Sequence, residues 1–501
     1  MIFRATYWGP WAFSDSSAYI SAARNIKAGI GAVIQNSDST ITPVTEFPPF
    51  FPFTLSLLTP ANGNFLESTR WINIFLFSVC TFIISQLSFI ASKNLLSGFF
   101  ASALFVFSPV MIDTFSGFMS EPLFIGLLLF LVYLFLKFVH SQKMHFLTPF
   151  FILSSILPMI RYAGILFIIC FSLLLLILIG KRSRKTILLA SIYLVTSLAP
   201  IGVWFIVQYT KLNRVAGKSF IYDIEIIRNI FSSIVQEMQV IRGWMPYSGI
   251  YPGTVINNWL LAFFSGLFII SLVTGLIGYI KDWKIIRTSP HLLFMICLFL
   301  LIAYVLFIGF THNLTIPSID IIDRMMAPIY PFLILAFILG FGKFDKNKFS
   351  RYFGLLILIA GIFSIRFYLL SSLSSVRELN INGKGYTSRQ YQESDLLEEL
   401  ASLHSNQIMI SNSAAFVLFN TNRFPYPVEQ FHNKPFGSGN SYGEKAFRQK
   451  NAALIILYPE FRNYYGKNSD QLLKNLTAGL QVDFQDEIGG IYFYPGKLTP
   501  Q

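Results

Sequence analysis

Charged residues are scarce in this sequence. Asp, Glu, Lys and Arg together make up 13% of the 501 residues, whereas a soluble globular protein has about a quarter. So few charges cannot cover the surface of soluble domains of this total length. Disorder is excluded as well, because 54% of the residues are hydrophobic and Phe alone occurs 53 times, while disordered chains are polar and poor in aromatics. The composition indicates an integral membrane protein.

Metal-binding and disulfide patterns are also absent from the sequence. Its three cysteines, Cys80, Cys170 and Cys297, each lie inside an apolar run, with no CxxC pair and no histidine pair nearby. The six histidines form no HExxH motif. Disulfide frameworks and zinc sites both need such spacings. We therefore expect no metal and no other cofactor.

Ten apolar stretches are long enough, or nearly so, to cross a bilayer as helices. They lie near residues 71–91, 95–112, 122–138, 146–160, 163–180, 186–209, 259–280, 291–311, 327–343 and 351–373. Their centres hold almost no ionisable residues; Arg366 is the exception, and it lies towards one end of its stretch, where it can reach the interface. Ion-coupled transporters place such residues inside the bundle. The pattern therefore favours chemistry at a membrane surface over transport.

Basic residues predict the orientation of the chain. Fourteen of them lie in alternate connections that contain only two acids, Asp282 and Asp345. These fourteen are Lys93, Lys137, Lys143, Lys181, Arg182, Arg184, Lys185, Lys281, Lys284, Arg287, Lys343, Lys346, Lys348 and Arg351. By the positive-inside rule this side is cytoplasmic, so the N-terminal loop and the C-terminal tail are extracytoplasmic parts of a multi-pass protein of the cell membrane. The net charge of +13 thus follows from topology, and the expected partner is membrane lipid, with no nucleic acid.

The chain divides into three predicted regions. Residues 1–70 form an extracytoplasmic first loop, in which residues 15–28 predict an amphipathic helix at the membrane interface. Residues 71–375 form the transmembrane helical domain. Residues 376–501 alternate helix and strand patterns, which predicts a small α/β domain with a mostly parallel sheet. Its predicted helices are 390–404, 413–420, 442–450 and 469–478, and its predicted strands are 407–411, 426–430, 453–458, 480–485 and 489–494.

Acidic residues lie close to the predicted bilayer on the extracytoplasmic side. Asp15 is followed by Tyr19, and a carboxylate there is either the N-cap of the 15–28 helix or a general base for a hydroxyl acceptor. Asp113 and Glu121 flank the short loop DTFSGFMSEP. Glu121 precedes a proline at a helix start, where acids and proline are both favoured. It therefore has both a structural and an active-site interpretation.

Two arginines share this side. Arg161 and Tyr162 form the turn between two short spans, and the arginine either reaches lipid headgroups or binds a phosphate, which suits its guanidinium fork. Asp323 and Arg324 precede another span in IDIIDRMMAPIYP (319–331). They form either a local ion pair or part of an anion clamp. All these polar residues lie on one membrane face, whereas residues that merely reach for headgroups should be shared between both faces.

The order of these features resembles the GT-C superfamily of glycosyltransferases, which use polyprenyl-phosphate sugars. Relatives include the aminoarabinose transferases of lipid A and the protein O-mannosyltransferases. The resemblance covers residues 1–370 and depends on five short motifs. These are SDSSAYISAARNIKAG (14–29), FPPFFPF (47–53), MSEP (119–122), MIRYAG (159–164) and DRMMAPIYP (323–331). The family pattern begins with a span that has no counterpart before residue 71, so we expect about ten to eleven spans, the additional one preceding residue 1.

The resemblance implies an α-helical polytopic membrane protein that transfers a sugar, with inversion, from a polyprenyl-phosphate donor to a glycan, lipid or protein acceptor. Asp15 matches the catalytic acid of the family's first loop and would be the general base. Arg324 and Arg161 would stabilise the departing phosphate, and Glu121 would place the sugar or the base. The other implied substrate-binding residues are Tyr19, Asp113, Tyr162 and Asp323. Some family members bind a divalent metal, but no second acid adjoins Asp15 in this sequence.

Three other functions stay open at this point. A polymerase or ligase that uses lipid-diphosphate donors would be favoured by an arginine-rich outer loop, but the basic residues of 210–258 are dispersed. A flippase of lipid-linked sugars would need polar residues at the membrane midplane. A non-catalytic scaffold that displays the C-terminal domain would tolerate substitution of Asp15.

Overall fold

The structure is a computed structural model. It describes residues 1–178, 184–212, 219–220, 225–246, 255–281, 291–316, 318–340, 348–404, 407–428, 434–449 and 452–495. Several residues of the predicted cytoplasmic connections lie outside the described residues. They are Lys181, Arg182, Asp282, Lys284, Arg287, Lys343, Asp345 and Lys346, and parts of the predicted loop 210–258 are outside as well.

Residues 1–64 contain three helices and a short hairpin, and the first long helix already begins at Phe65, within the predicted first loop. The elements are α1 Ile2–Ala5, α2 Ser14–Lys27, β1 Val33–Gln35, β2 Ile41–Pro43 and α3 Phe50–Leu58. The two strands pair antiparallel, with Ile34 opposite Thr42. Helix α3 begins directly after Pro49 and holds Pro52 in its first turn, where proline costs no hydrogen bond.

Helix α2 forms where it was predicted, but its surroundings differ from the prediction. It does not lie on the membrane interface with one face free, because serines and alanines are buried around the whole helix, including Ser16, Ser17, Ala22 and Ala23. These small side chains allow neighbouring elements to approach closely, and the hydroxyl of Ser16 donates to the Phe118 carbonyl oxygen at 2.8 Å. The expectation of a helix buried on one face only was therefore wrong, and its position relative to the membrane interface stays a prediction.

Long apolar helices dominate the chain up to residue 382. They and the shorter helices between them are α4 Phe65–Ser92, α5 Leu95–Val106, α6 Pro109–Phe115, α7 Glu121–Ser141, α8 Met144–Ile160, α9 Gly164–Leu178, α10 Arg184–Leu212, α11 Glu225–Gly243, α12 Val255–Lys281, α13 His291–Leu314, α14 Asp323–Met326, α15 Tyr330–Gly340 and α16 Lys348–Asn382. A 3-10 turn, Ala327–Ile329, joins α14 to α15. Strands β3 Ser219–Phe220 and β4 Thr315–Ile316 form an antiparallel pair.

Each predicted span overlaps one of these helices, except 95–112, which is divided between α5 and α6. Residues 179–180 and 341–343, the ends of two predicted spans, lie outside the described residues. By length and composition, seven stretches of the described residues can cross a membrane, or eight if the pair α5 and α6, bent by 60°, is one broken span. Helices α8 and α9 are apolar but shorter. The bend between α5 and α6 occurs where Ser108 caps the second helix and Pro109 opens it, as proline at a first helical position allows.

Aromatic rings fill much of the core between the long helices. Phe150 lies 5.6 Å from Phe135, 5.2 Å from Phe171 and 5.1 Å from Tyr193, measured between ring centroids. These side chains are fully buried and come from four successive helices, α7 to α10. Such pairs add to the free energy gained by burial alone. The abundance of Phe therefore has a structural role in this bundle.

The C-terminal region folds around a five-stranded sheet. Its elements are α17 Arg389–Gln392, α18 Leu396–Ser402, β5 Ile408–Ser411, α19 Ala414–Thr421, β6 Tyr426–Pro427, α20 Tyr442–Arg448, β7 Ala452–Leu457, α21 Tyr458–Tyr465, α22 Ser469–Thr477, β8 Gln481–Gln485 and β9 Gly489–Phe493. The strand order is β6-β5-β7-β9-β8. Residues 429–430 and 450, which were predicted to end a strand and a helix, lie outside the described residues.

The sheet is mixed rather than mostly parallel, which corrects the prediction. Strand β5 pairs parallel with β6 and β7, but β9 pairs antiparallel with β7 and β8. The Asp486 carboxylate accepts hydrogen bonds from the amides of Ile488 and Gly489, both at 2.8 Å. That tight turn reverses the chain directly into β9, and a connection so short can only join antiparallel strands.

The N-terminal segment is attached to the C-terminal domain. The Tyr386 amide donates to the Ala12 carbonyl oxygen at 2.8 Å, and Arg24 Nη1 donates to the Phe419 carbonyl oxygen, also at 2.8 Å. At the hairpin tip, the Tyr426 hydroxyl donates to Asp38. Helix α2 is thus held between the long helices and the sheet domain, which fixes the position of Asp15.

Candidate active site

Four charged side chains of alternating sign form a row at one end of the helix bundle. Arg324 Nη1 lies 2.6 Å from Asp15 Oδ2, and Arg324 Nε lies 3.8 Å from Glu121 Oε1. Glu121 in turn forms an ion pair with Arg161. The four residues come from α2, α14, the start of α7 and the turn after α8. We call Asp15, Arg324, Glu121 and Arg161 the charged row.

The Glu121–Arg161 end of the charged row is more buried than the Asp15–Arg324 end. The side chain of Asp15 is 26% exposed and that of Arg324 20%, whereas Arg161 is 14% and Glu121 only 1% exposed. A buried charge needs a partner, because removing it from water costs several kcal/mol. Glu121 and Arg161 therefore form the fixed inner end, and Asp15 and Arg324 form the end that a ligand can reach.

The inner end is built by two helix termini. Glu121 opens helix α7 directly before Pro122, where an acid is favoured by the helix dipole. Arg161 follows α8 with an extended backbone, and its carbonyl oxygen accepts from the Gly164 amide at 2.8 Å to close the turn into α9. The helix-start interpretation of Glu121 is confirmed, and its active-site role stays a prediction.

Arg161 makes further contacts that hold its guanidinium in place. Its Nη1 lies 3.5 Å from Ser120 Oγ and its Nη2 lies 3.3 Å from Met325 Sδ. Burial lowers the pKa of Arg161, but the Glu121 carboxylate, together with Tyr304 and Tyr19, raises it by more, so the net effect is a pKa above the usual range. Arg161 is therefore a permanent cation within the charged row.

Tyr19 lies against the inner end of the charged row. Its hydroxyl is 3.2 Å from Ser120 Oγ, and its ring packs on Phe47 and Phe51. Burial, and to a lesser degree the charge of Glu121, raises the pKa of Tyr19 well above its usual range. The phenol is therefore neutral and can offer a hydrogen bond, as expected of a substrate-binding residue.

Arg324 is held by the short helix α14 and its neighbours. Trp244 Nε1 donates to Asp323 Oδ1 at 2.8 Å, and the Tyr304 hydroxyl donates to the Met325 carbonyl oxygen at 2.7 Å. The Arg324 guanidinium also lies over the Phe13 ring, 4.3 Å from its centroid. These contacts aim Arg324 at Asp15, which sits in the first turn of α2 and does not act as its N-cap, since Phe13 holds that position.

Three predicted site residues have other partners. Asp113 pairs with Lys384 at 2.7 Å, on a more exposed surface. The Tyr162 hydroxyl donates to the Thr45 carbonyl oxygen at 3.1 Å. Asp323 binds Trp244 rather than a neighbouring arginine, so the predicted local Asp323–Arg324 pair is replaced by the longer-range Asp15–Arg324 pair.

Several residues around the charged row were not predicted. They are Phe13, Ser120, Trp244, Tyr304 and Met325. Ser120 precedes Glu121 in the MSEP motif, so its position next to a candidate residue could have suggested that it lies near the site. Trp244 and Tyr304 are single aromatic residues in apolar surroundings, and nothing in the sequence distinguishes them from other core residues.

The described residues contain no group of three or more His, Cys, Asp or Glu side chains that could hold a metal ion. Cys80, Cys170 and Cys297 are buried free thiols.

Comparison with solved structures decides the fold. ArnT from Cupriavidus metallidurans bound to undecaprenyl phosphate superposes with a TM-score of 0.57 and 11% sequence identity, covering 100% of this chain and 97% of ArnT. The chain therefore shares the fold of ArnT over its whole length. The apo state of the same ArnT gives a TM-score of 0.54 at 10% identity, covering 98% of this chain and 95% of ArnT. No family model and no curated protein matches the sequence.

The shared fold confirms the α-helical polytopic fold class predicted from the sequence. The protein is a mostly helical, multi-pass membrane protein with a small C-terminal sheet domain. The superposition extends over the C-terminal domain as well as the membrane helices, whereas the sequence motifs that carried the resemblance end before residue 370.

Proposed function

We propose that the protein transfers a sugar from a polyprenyl-phosphate donor to an acceptor hydroxyl, with inversion at the anomeric carbon. The observation that carries the proposal is the Asp15–Arg324 contact at 2.6 Å, at the open end of a charged row, within a GT-C fold. The ArnT structure with the same fold binds undecaprenyl phosphate. An acid beside an accessible arginine supplies the base and the phosphate contact that such a transfer requires.

Donor binding would change the partner of Arg324. A phosphate attracts a guanidinium through its opposite charge and through paired hydrogen bonds. The donor phosphate therefore competes with Asp15 for Arg324. Asp15 is then released and can accept a proton. Arg161 stays in place, because its partner Glu121 is buried and fixed.

The reaction balances without a further reactant. The acceptor oxygen forms a bond to the anomeric carbon while its proton passes to an Asp15 carboxylate oxygen. The bond between the anomeric carbon and the phosphate oxygen breaks, and the polyprenyl phosphate leaves with the electron pair. Arg324, assisted by Arg161, stabilises the charge that develops on that phosphate. The scheme assigns leaving-group stabilisation to arginine and contains no metal step.

We also propose that the charged row faces the extracytoplasmic side. Glu121 opens helix α7, and Lys137 and Lys143 lie at or just after its other end. At 1.5 Å per residue, a helix of 21 residues separates the two ends by about 30 Å, the thickness of a bilayer core. The positive-inside rule then places the lysines in the cytoplasm and the row outside.

A donor panel tests the proposed reaction. The full-length protein in lipid nanodiscs receives polyprenyl monophosphates and diphosphates that carry radiolabelled sugars, together with total membrane glycolipid as acceptor. We expect label in the acceptor and an equal amount of polyprenyl phosphate, from monophosphate donors only. Use of diphosphate donors alone would favour a polymerase or ligase, and donor movement across the bilayer without sugar release would favour a flippase. Either result would contradict the proposal.

A further inference from the structure

A cavity lies in the C-terminal domain, away from the charged row. Its walls are the segment 382–393 on one side and residues 459–463 of helix α21 on the other. Its volume is 690 Å³, within the range of about 300–1,000 Å³ found for small-molecule sites. We call this cavity the domain cleft.

Most of the residues that line the domain cleft have polar side chains. Lys384, Arg389 and Gln390 line one wall, and Glu460 and Asn463 line the other. Side-chain amides each offer donors and an acceptor, which suits a ligand that presents many hydroxyl groups. The acids Glu393 and Glu460, one on each wall, balance the charges of Lys384 and Arg389, so the cleft has no cationic excess to attract a polyanion. The scarcity of aliphatic residues disfavours a lipid tail.

A tyrosine ring and a buried hydroxyl that has no hydrogen-bond partner among the described residues also border the cleft. Tyr386 and Tyr391 both border the cleft. The partly exposed Tyr386 provides aromatic surface of the kind on which an apolar sugar face packs, whereas Tyr391 is 5% exposed and packs in the core of the domain. Ser388 also borders the cleft and is only 8% exposed, yet its Oγ has no hydrogen-bond partner among the described residues. A buried hydroxyl without a partner is unfavourable, and a bound polar ligand would supply one.

Tyr386 connects the domain cleft to the charged row. Its amide donates to the carbonyl oxygen of Ala12, three residues before Asp15. Burial raises the pKa of Tyr386 well above its usual range, and the charges of Glu460 and Asp15 add to that rise. The phenol therefore lies within electrostatic reach of an acid in the cleft and of an acid in the row.

We propose that the domain cleft binds a saccharide and holds the glycan part of the acceptor while one of its hydroxyls reaches Asp15. The role as an acceptor site depends on the proposed transferase function, whereas saccharide binding does not. The cleft side chains named here are separate from the charged row, so their loss should weaken acceptor use and leave donor use unchanged.

Direct binding to the full-length protein tests the cleft without any transfer reaction. The ligands are cellotetraose, maltotetraose and chitotetraose, titrated into the protein in nanodiscs and followed by saturation-transfer NMR. We expect saturable binding of at least one tetrasaccharide. The double variant Gln390→Ala/Asn463→Ala should weaken it by about tenfold, as expected when one or two hydrogen bonds are lost. Both residues are exposed, so the fold should be retained.

The matched control is Gln471→Ala/Asn475→Ala. It also removes one glutamine and one asparagine, but from helix α22, where Gln471 donates to Asn475 at 3.1 Å. The control should bind like the unmodified protein. Absence of saturable binding, or equal affinity in the cleft variant, would overturn the proposal. If tetrasaccharides bind through the cleft but no polyprenyl-phosphate sugar is consumed, the transferase function and the acceptor role both fail.

Discussion

Arg324 and Asp15 are 309 residues apart in the chain, yet Nη1 of the arginine lies 2.6 Å from Oδ2 of the acid. The pair joins helix α2, held by the C-terminal domain, to helix α14, held by the membrane helices. Both side chains keep access to solvent, whereas Glu121 behind them is 1% exposed. The pair is therefore the part of the charged row that can exchange its partner for a ligand.

Substitution of Arg324 should affect the donor more than the acceptor. Arg324→Ala removes the cation that would face the leaving phosphate, and the loss of one such group costs about 10²–10³-fold in rate. Arg324→Lys should recover part of the loss, because it keeps the charge but not the planar fork. Steady-state kinetics with varied donor and varied acceptor measure the effect. Arg462→Ala, at an exposed arginine of α21, is the control, and unchanged donor kinetics in Arg324→Ala would contradict the phosphate role.

Glu121 should contribute to stability through its buried pair with Arg161. Glu121→Gln leaves the Arg161 cation buried without its partner, which costs about 3–5 kcal/mol. The double variant Glu121→Gln/Arg161→Gln removes both charges and should recover a large part of the loss. Thermal unfolding of the purified protein in detergent measures both variants. Equal melting temperatures for Glu121→Gln and the unmodified protein would show that the pair is not a buried ion pair.

Acid should weaken the contact between the N-terminal hairpin and the C-terminal domain. Hydrogen bonds from Thr40 and Tyr426 hold the pKa of Asp38 below its ordinary value of 3.8. A carboxyl with a lowered pKa in the folded state stabilises it above the unfolded value, and that contribution is lost as the pH falls through the folded pKa. Unfolding measured from pH 6 to pH 3 should show this loss, and Asp38→Asn should reduce it. The same pH dependence in Asp38→Asn would exclude Asp38 as its source.

Much of the membrane domain could be predicted from the sequence, because length and hydropathy define each span locally. The break at Arg161 was predictable for the same reason. The environment of α2 was not, since Ser16 and Ala22 are compatible both with an interface and with a buried contact. The direction of β9 depends on the turn at Asp486, which the strand pattern does not reveal.

The composition of the candidate site was more predictable than its pairing. Asp15, Tyr19, Glu121, Arg161 and Arg324 all lie in or beside the charged row, as the sequence predicted. Which acid meets which arginine depends on contacts between distant segments. The partners of Asp113 and Asp323, Lys384 and Trp244, therefore could not be read from local motifs.

The central claim is tested most directly by measuring two properties of the Asp15→Asn variant, its rate of sugar transfer and its affinity for the donor. Asparagine keeps the size of the side chain but cannot take up the acceptor proton, so the transfer rate should fall by about 10²–10⁴-fold. Expression and binding of polyprenyl phosphate should be retained, and Asp470→Asn, at an exposed acid of α22, should behave like the unmodified protein. Full transfer activity in Asp15→Asn would contradict the account.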